Sequence, residues 1–242
     1  MFPIRDHNPS EKTPYVTLIL IGLNIVMFIA TLGDGPGGMP DLWWRLALYP
    51  GAVTNGDMLI GLVSHMFLHA GFMHIAGNML FLWIFGDNLE ERMGHLGFLI
   101  FYLACGLLAA AAQIYANPSE MIPMVGASGA VAGVMGGYLL LYPRARVDVL
   151  VIIIILIRIF TIPAWVMLVL WFGVQLLGGF SSIAGEGGVA YWAHAGGFAA
   201  GVVLTIPVFA RVGGAAYWRR NDGHPPHPEA RYGRSRVPQV RR

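Results

Sequence analysis

Six long, predominantly apolar runs limit what this chain of 242 residues can fold into more than any other feature does. A helix crossing a hydrocarbon core needs roughly 17–25 mostly apolar residues. The runs at about 15–32, 72–89, 95–116, 126–142, 163–180 and 189–210 each meet that need. In lipid every backbone N–H and C=O must be satisfied within the protein, so runs of this length are read as helices. Only 12% of the residues are charged, about half the share in soluble domains. Arg5 and Lys12 precede the first run as they would a secretory signal. That run has no convincing small-residue cleavage site and is followed by further spans, so it reads as a retained helix. The single Cys105 lies in an apolar run, which leaves no disulfide framework and no paired-cysteine metal site.

The expected fold class is therefore an all-α membrane protein, a bundle of six transmembrane helices. Residues 1–14 form its N-terminus, 15–210 the helical domain and 33–71 a long loop after the first span. Residues 211–242, rich in Arg, Pro, Gly and His, read as a disordered basic tail that can touch anionic lipid. Trp43 and Trp44 beside Arg45 suit a segment in the headgroup region. The Val/Ile-rich stretch 147–162 reads as a surface-hugging or re-entrant segment leading into the fifth span, with Pro163 in its first turn and Arg158 snorkelling to the interface. No internal repeat is evident, and neither a cofactor nor a nucleic-acid partner is expected.

Basic residues set the orientation. Arg5, Lys12, Arg92, Arg144, Arg146, Arg211, Arg219 and Arg220 fall on the side of the termini, against Arg45 alone on the other. The positive-inside rule places both termini in the cytoplasm. The second, fourth and sixth spans then run inward from the outer face. His74 and Asn78 near the start of the second, Ser128 near the start of the fourth and His194 near the start of the sixth come to similar depth.

Small residues say how two of these spans can meet. Gly129, Gly133 and Gly137 recur every four residues on the fourth span, as do Ala193, Gly197 and Gly201 on the sixth. Such ridges let helix backbones approach closely in lipid. Ser128 adjoins one ridge and His194 the other. The plain alternative is two packing motifs with incidental polar neighbours.

A serine hydroxyl becomes a useful nucleophile when a neighbouring base takes its proton, and a neutral histidine can do this and later protonate a leaving amine. No acid is an evident third member, because Glu120 and Glu186 lie in outer loops, so a dyad is the economical reading. His74 and Asn78, four residues apart, share a helix face. With the amide of Ser128 they can donate to an oxyanion, or else serve as interhelical hydrogen bonds. His65 and His69 form an HxxxH pair, but without the further ligands that a metal site of this kind requires. No metal is assigned, and His69, with His65, reads as tying the outer loop to the helix start.

Taken together, His69-x4-His74-x3-Asn78, Gly126-x-Ser128-Gly129 and Ala193-His194-x2-Gly197 on successive even-numbered spans resemble the rhomboid family of intramembrane serine proteases. The resemblance extends over nearly the whole membrane portion, and Gly86-Asp-Asn-Leu-Glu90-Glu91-Arg92-Met-Gly94 adds to it. It implies a six-helix core with an outward-open cavity, Ser128 as nucleophile and His194 as general base. It also implies an oxyanion hole of His74, Asn78 and the Ser128 amide, a structural Glu90, and single-pass transmembrane proteins in the bilayer as substrates. Gly126, Gly129 and Gly197 would be structural near the site. Two positions depart from the family pattern. Ile60-Gly61 stands where many members carry Trp-Arg, and Ala132 stands where some carry a tyrosine that stacks on the histidine. Trp171 or Trp192 would then have to hold His194. A catalytically inactive relative that binds membrane clients and a polar-lined transporter are the rival readings. The minimal architecture points to a prokaryotic plasma membrane with the site facing outside.

Overall fold

The computed structural model describes residues 2–32, 41–153, 156–181 and 189–230. In chain order it places strand β1 (Phe2–Asp6), helix α1 (Tyr15–Ala30) and the short helices α2 (Asp41–Leu46), α3 (Pro50–Thr54) and α4 (Gly61–Ser64). Helices α5 (Phe72–Met93), α6 (His95–Ala116) and α7 (Ser128–Leu141) come next. Strands β2 (Arg146–Ile153) and β3 (Leu156–Pro163) follow, then α8 (Ala164–Ser181), α9 (Tyr191–Arg211) and α10 (Ala215–Asn221). Helices α6, α8 and α9 are long and apolar enough to cross a membrane, and Gly61–Phe67 with α5 makes a fourth candidate as a pair bent by 92°. Helices α1 and α7 are apolar but shorter, 16 and 14 residues.

The core forms around α7, whose residues from Gly129 to Tyr138 are all buried. Glycine makes this possible, because three helices approach it at once. A Cβ at Gly197 or Gly201 would collide with the backbone carbonyls of Gly129 and Gly133 respectively. One at Gly129 would lie 2.6 Å from Ala109 Cβ on α6, and one at Gly133 would strike Cys105. Gly136, outside the four-residue ridge, faces the carbonyl of Phe198 just as closely. These contacts, with Gly137 against Leu89 and Thr205, show α5, α7 and α9 running in parallel and α6 running against them.

Helix α1 packs on α5 through Thr17 and Gly86. Its free first-turn amides find a buried carboxylate: Val16 N and Thr17 N each donate to Glu90 at 2.8 Å, and the Thr17 hydroxyl adds a third bond at 2.7 Å. His95 Nδ1 lies 2.6 Å from the oxygen that accepts from Val16 N. Helix starts leave such amides unpaired, so one glutamate at the end of α5 fixes where α1 begins.

The fold is not all-α. Strands β2 and β3 pair antiparallel from Arg146↔Pro163 to Ile153↔Leu156, and β1 joins them to give the order β1-β2-β3. β-Branched residues suit a pleated surface with one face against a core, and Val147 and Val149 are fully buried. Asp148 on the opposite face bonds Arg5 Nε (2.7 Å), His7 Nε2 (2.8 Å) and the Thr161 hydroxyl (2.5 Å). Burial works to raise the Asp148 carboxyl, but the bonds from Thr161, His7 and Arg5 outweigh it and hold the group below the usual range.

Part of the expected disordered tail is ordered as well. Within 211–230, α10 docks on the ends of α5 and α7. Arg92 donates to the hydroxyls of Tyr142 (3.3 Å) and Tyr217 (3.1 Å), and Trp218 Nε1 donates to the Leu140 carbonyl at 3.0 Å. Buried Tyr217 and partly buried Trp218 supply the contact surface that the aliphatic-poor composition concealed, and an Arg144–Asp222 ion pair lies exposed at its edge. Trp43 is buried in the protein, edge-on to Trp44. The Gly/Pro run 33–40, Glu186 and residues 231–242 lie outside the described residues.

Candidate active site

Gly126 turns the chain into α7. Its φ of +130° suits a residue without a side chain, and its N–H donates to the His65 carbonyl at 2.9 Å. His65 is itself anchored, Nδ1 lying 2.8 Å from the Gly61 carbonyl. Ser128 is therefore the first residue of its helix. Since the first bond along α7 joins Val131 N to Ala127 O, the amides of Ser128, Gly129 and Ala130 have no acceptor within it.

His194 enters from the first turn of α9. Its Nε2 lies 2.7 Å from Ser128 Oγ, and its Nδ1 lies 2.8 Å from Gln175 Oε1 on α8. Trp171, one turn before Gln175, sets its ring 5.8 Å from the imidazole at 37°. Trp192, the other candidate to hold the ring, packs instead on Gly179 and edge-on to Phe180. Gln113 on α6 ties down the start of α9: its Oε1 accepts from Ala193 N at 3.3 Å and its Nε2 donates to Glu120 at 3.2 Å. Neither glutamine stands out in the sequence. The available signal is a lone amide inside an otherwise apolar span, which an intramembrane polar residue makes worth asking about.

His74 and Ser128 flank Gly126. A Cβ on Gly126 would lie 2.8 Å from His74 Nε2 and 3.4 Å from Ser128 Oγ. The backbone N–H of Ala70 points at His74 Nδ1 at 3.4 Å, so Nδ1 accepts and Nε2 is the nitrogen that carries the proton toward the site. Asn78, buried one turn further on, donates to the His74 carbonyl at 3.1 Å. An amide nitrogen has two N–H groups, so one remains for another acceptor. His69 is fully buried, edge-on to His74 with ring centroids 5.0 Å apart. Neither of its nitrogens has a hydrogen-bond partner among the described residues, so it meets the helix start through its ring rather than through a hydrogen bond.

The constellation thus joins a hydroxyl to an imidazole nitrogen, beside an imidazole N–H and helix-start N–H groups, with the Asn78 amide one turn further along α5. Such a set can move a proton off an oxygen and receive negative charge close by.

The family model described as Rhomboid domain matches residues 56–211, spanning α5, α6, α7, α8 and α9. The chain belongs to the rhomboid family and is a multi-pass integral membrane protein. It is 30% identical over 156 residues to Rhomboid protein 1, mitochondrial, of Saccharomyces cerevisiae, covering 61% of this chain and 40% of that one. Rhomboid protease GluP of Bacillus subtilis is 35% identical over 130 residues, 52% of this chain and 24% of its own. Rhomboid-like protein 11, chloroplastic, of Arabidopsis thaliana is 32% identical over 129 residues, 53% and 43% of the two chains. The matched parts therefore span less than half the length of each of these relatives.

Proposed function

We propose that this protein is an intramembrane serine endopeptidase that cleaves transmembrane helices near the outer leaflet. The observation that carries the reading is the 2.7 Å contact between Ser128 Oγ and His194 Nε2, with Nδ1 of the same ring engaged elsewhere. His194 takes the hydroxyl proton as Ser128 Oγ bonds to the scissile carbonyl carbon. The oxyanion is received by His74 Nε2–H, the second N–H of Asn78 and the Ser128 amide. The carbon–nitrogen bond then breaks and the amine leaves with the proton from His194; His194 next takes a proton from water as the water oxygen bonds to the acyl carbon, and the ester bond breaks with that proton passed to Ser128 Oγ. Each oxyanion donor typically contributes about 2.7–4 kcal/mol to the transition state.

The architecture is a six-span bundle, with α1, α5, α6, α7, α8 and α9 as the spans and α7 sunk into the middle. Both termini face the cytoplasm, and the site opens to the outside of a prokaryotic plasma membrane. Substrates are single-pass membrane proteins whose helices unwind locally, because a carbonyl bonded within a helix is shielded from attack. No observation favours the client-binding or transporter readings.

The test is cleavage of a model transmembrane substrate by purified protein in detergent. Wild type should cleave it, while Ser128→Ala and His194→Ala should each lose about 10³-fold or more in kcat. Equal turnover by wild type and Ser128→Ala would remove the assignment.

A further inference from the structure

We infer that Gln175 is the positioning residue of this site, holding His194 in the tautomer whose Nε2 is bare toward Ser128. The inference rests on the protease reading above and assigns the third group that the dyad lacks. Which nitrogen of a neutral imidazole carries the proton depends on what the other ring atom meets. The partner of His194 Nδ1 is a side-chain amide, which can offer either an oxygen or a nitrogen. Its nitrogen is turned to the Trp171 carbonyl on its own helix, a long contact of 3.5 Å. A carbonyl only accepts, so the amide oxygen is the end left for His194. Nδ1 must then donate, and Nε2 is left as the acceptor for the Ser128 hydroxyl.

The surroundings reinforce the assignment. Gln175 is only 8% exposed, so little water competes for the bond. Trp171 and Gln175 are four residues apart and share a face of α8, one lying near the imidazole ring and the other bonding its edge. Phe172 stacks on Phe198 at 4.6 Å and fixes α8 against α9 beside them. Among the described residues, the neighbouring groups that could alter the histidine's charge are His74 on α5 and Ser128 on α7. Helix α8 carries no ionisable residue, and among the described residues Glu120 is linked to α9 through Gln113.

An amide orients the ring without adding charge. A glutamine that merely glued α8 to α9 would also make a hydrogen bond, but it would leave the proton behaviour of His194 unchanged when replaced.

The test uses the purified full chain in detergent, following peptide hydrolysis against pH and the 15N spectrum of labelled histidine. Gln175→Leu should lower kcat by about tenfold to a hundredfold, keep KM within about twofold, and abolish the Nδ1-protonated signature of His194. Gln175→Glu should remain active but place an anion beside Nδ1, which favours the imidazolium and moves the acidic limb of the rate profile to higher pH. Wild-type kcat and an unchanged histidine spectrum in Gln175→Leu would overturn the inference. So would a wild-type acidic limb in Gln175→Glu, and that variant decides the matter if the leucine variant does not fold. The spectrum needs no turnover. A wild type that hydrolyses nothing yet shows the bonded Nδ1–H would defeat the protease reading and leave the positioning contact standing.

Discussion

At Gly126 a single added methyl group would enter the space between His74 and Ser128, on a backbone whose φ of +130° already disfavours a side chain. Strain of this kind costs about 1–3 kcal/mol. Expressed at the site, it corresponds to a loss of roughly five- to hundredfold in kcat/KM. Gly126→Ala is expected to show that loss together with a lower unfolding temperature, since the strain burdens the folded state as well, and an unchanged kcat/KM would mean that His74 does not act where the geometry puts it. At this scale the sequence marked Ser128 and His194 clearly, because each sits in a small-residue pattern at the start of an apolar run. It could not show Gln175. Its partner is 19 positions away on another helix, and only the packing of α8 against α9 brings the amide to the ring.

Helices α7 and α9 are held so close that their glycines touch the opposite backbone. A Cβ at Gly201 meets the carbonyl of Gly133, which cannot swing aside as a side chain could. Gly201→Ala should therefore force the helices apart and destabilise the protein by about 1–3 kcal/mol, read as a lower unfolding temperature. Gly173→Ala on α8 is the matched control. Nothing lies within 4 Å of its added Cβ, so the better helix propensity of alanine, worth about 0.5–1 kcal/mol, should leave it as stable as wild type or more so. The helices themselves were legible because length and apolar composition suffice to mark them: the run 95–116 became α6 at those bounds. The β2–β3 pair was not legible. A continuous Val/Ile run fits a strand or a buried helix equally well, and its third strand lies about 140 residues away at Phe2–Asp6. α10 was hidden for a similar reason, since Tyr217 and Trp218 find their partners only on the finished ends of α5 and α7.

Across the whole molecule, the chain's first strand is fastened to the helical core by a buried acid. Asp6 accepts from Asn88 Nδ2 and from the Tyr138 hydroxyl, each at 3.1 Å. Burial first, and the nearby Asp87 second, push its carboxyl up from 3.8 to about 7. Below pH 4 the folded and unfolded chains both carry this proton. Between pH 4 and 7 the unfolded chain has released it while the folded chain keeps it, so this group makes stability fall as pH rises through that window. Asp6→Asn removes the titration but keeps an acceptor oxygen. The unfolding temperature of the variant should rise relative to wild type from pH 4 to 7, and parallel curves would show that the Asp6 carboxyl is not held raised. The same folded framework brings the starts of α5, α7 and α9 together, and the protease reading depends on that meeting. Its most direct test is covalent labelling with a fluorophosphonate, followed by mass spectrometry of the modified peptide. The phosphonyl group is expected on Ser128 in wild type and absent from His194→Ala. Labelling elsewhere, or undiminished labelling without His194, would contradict the Ser128–His194 dyad.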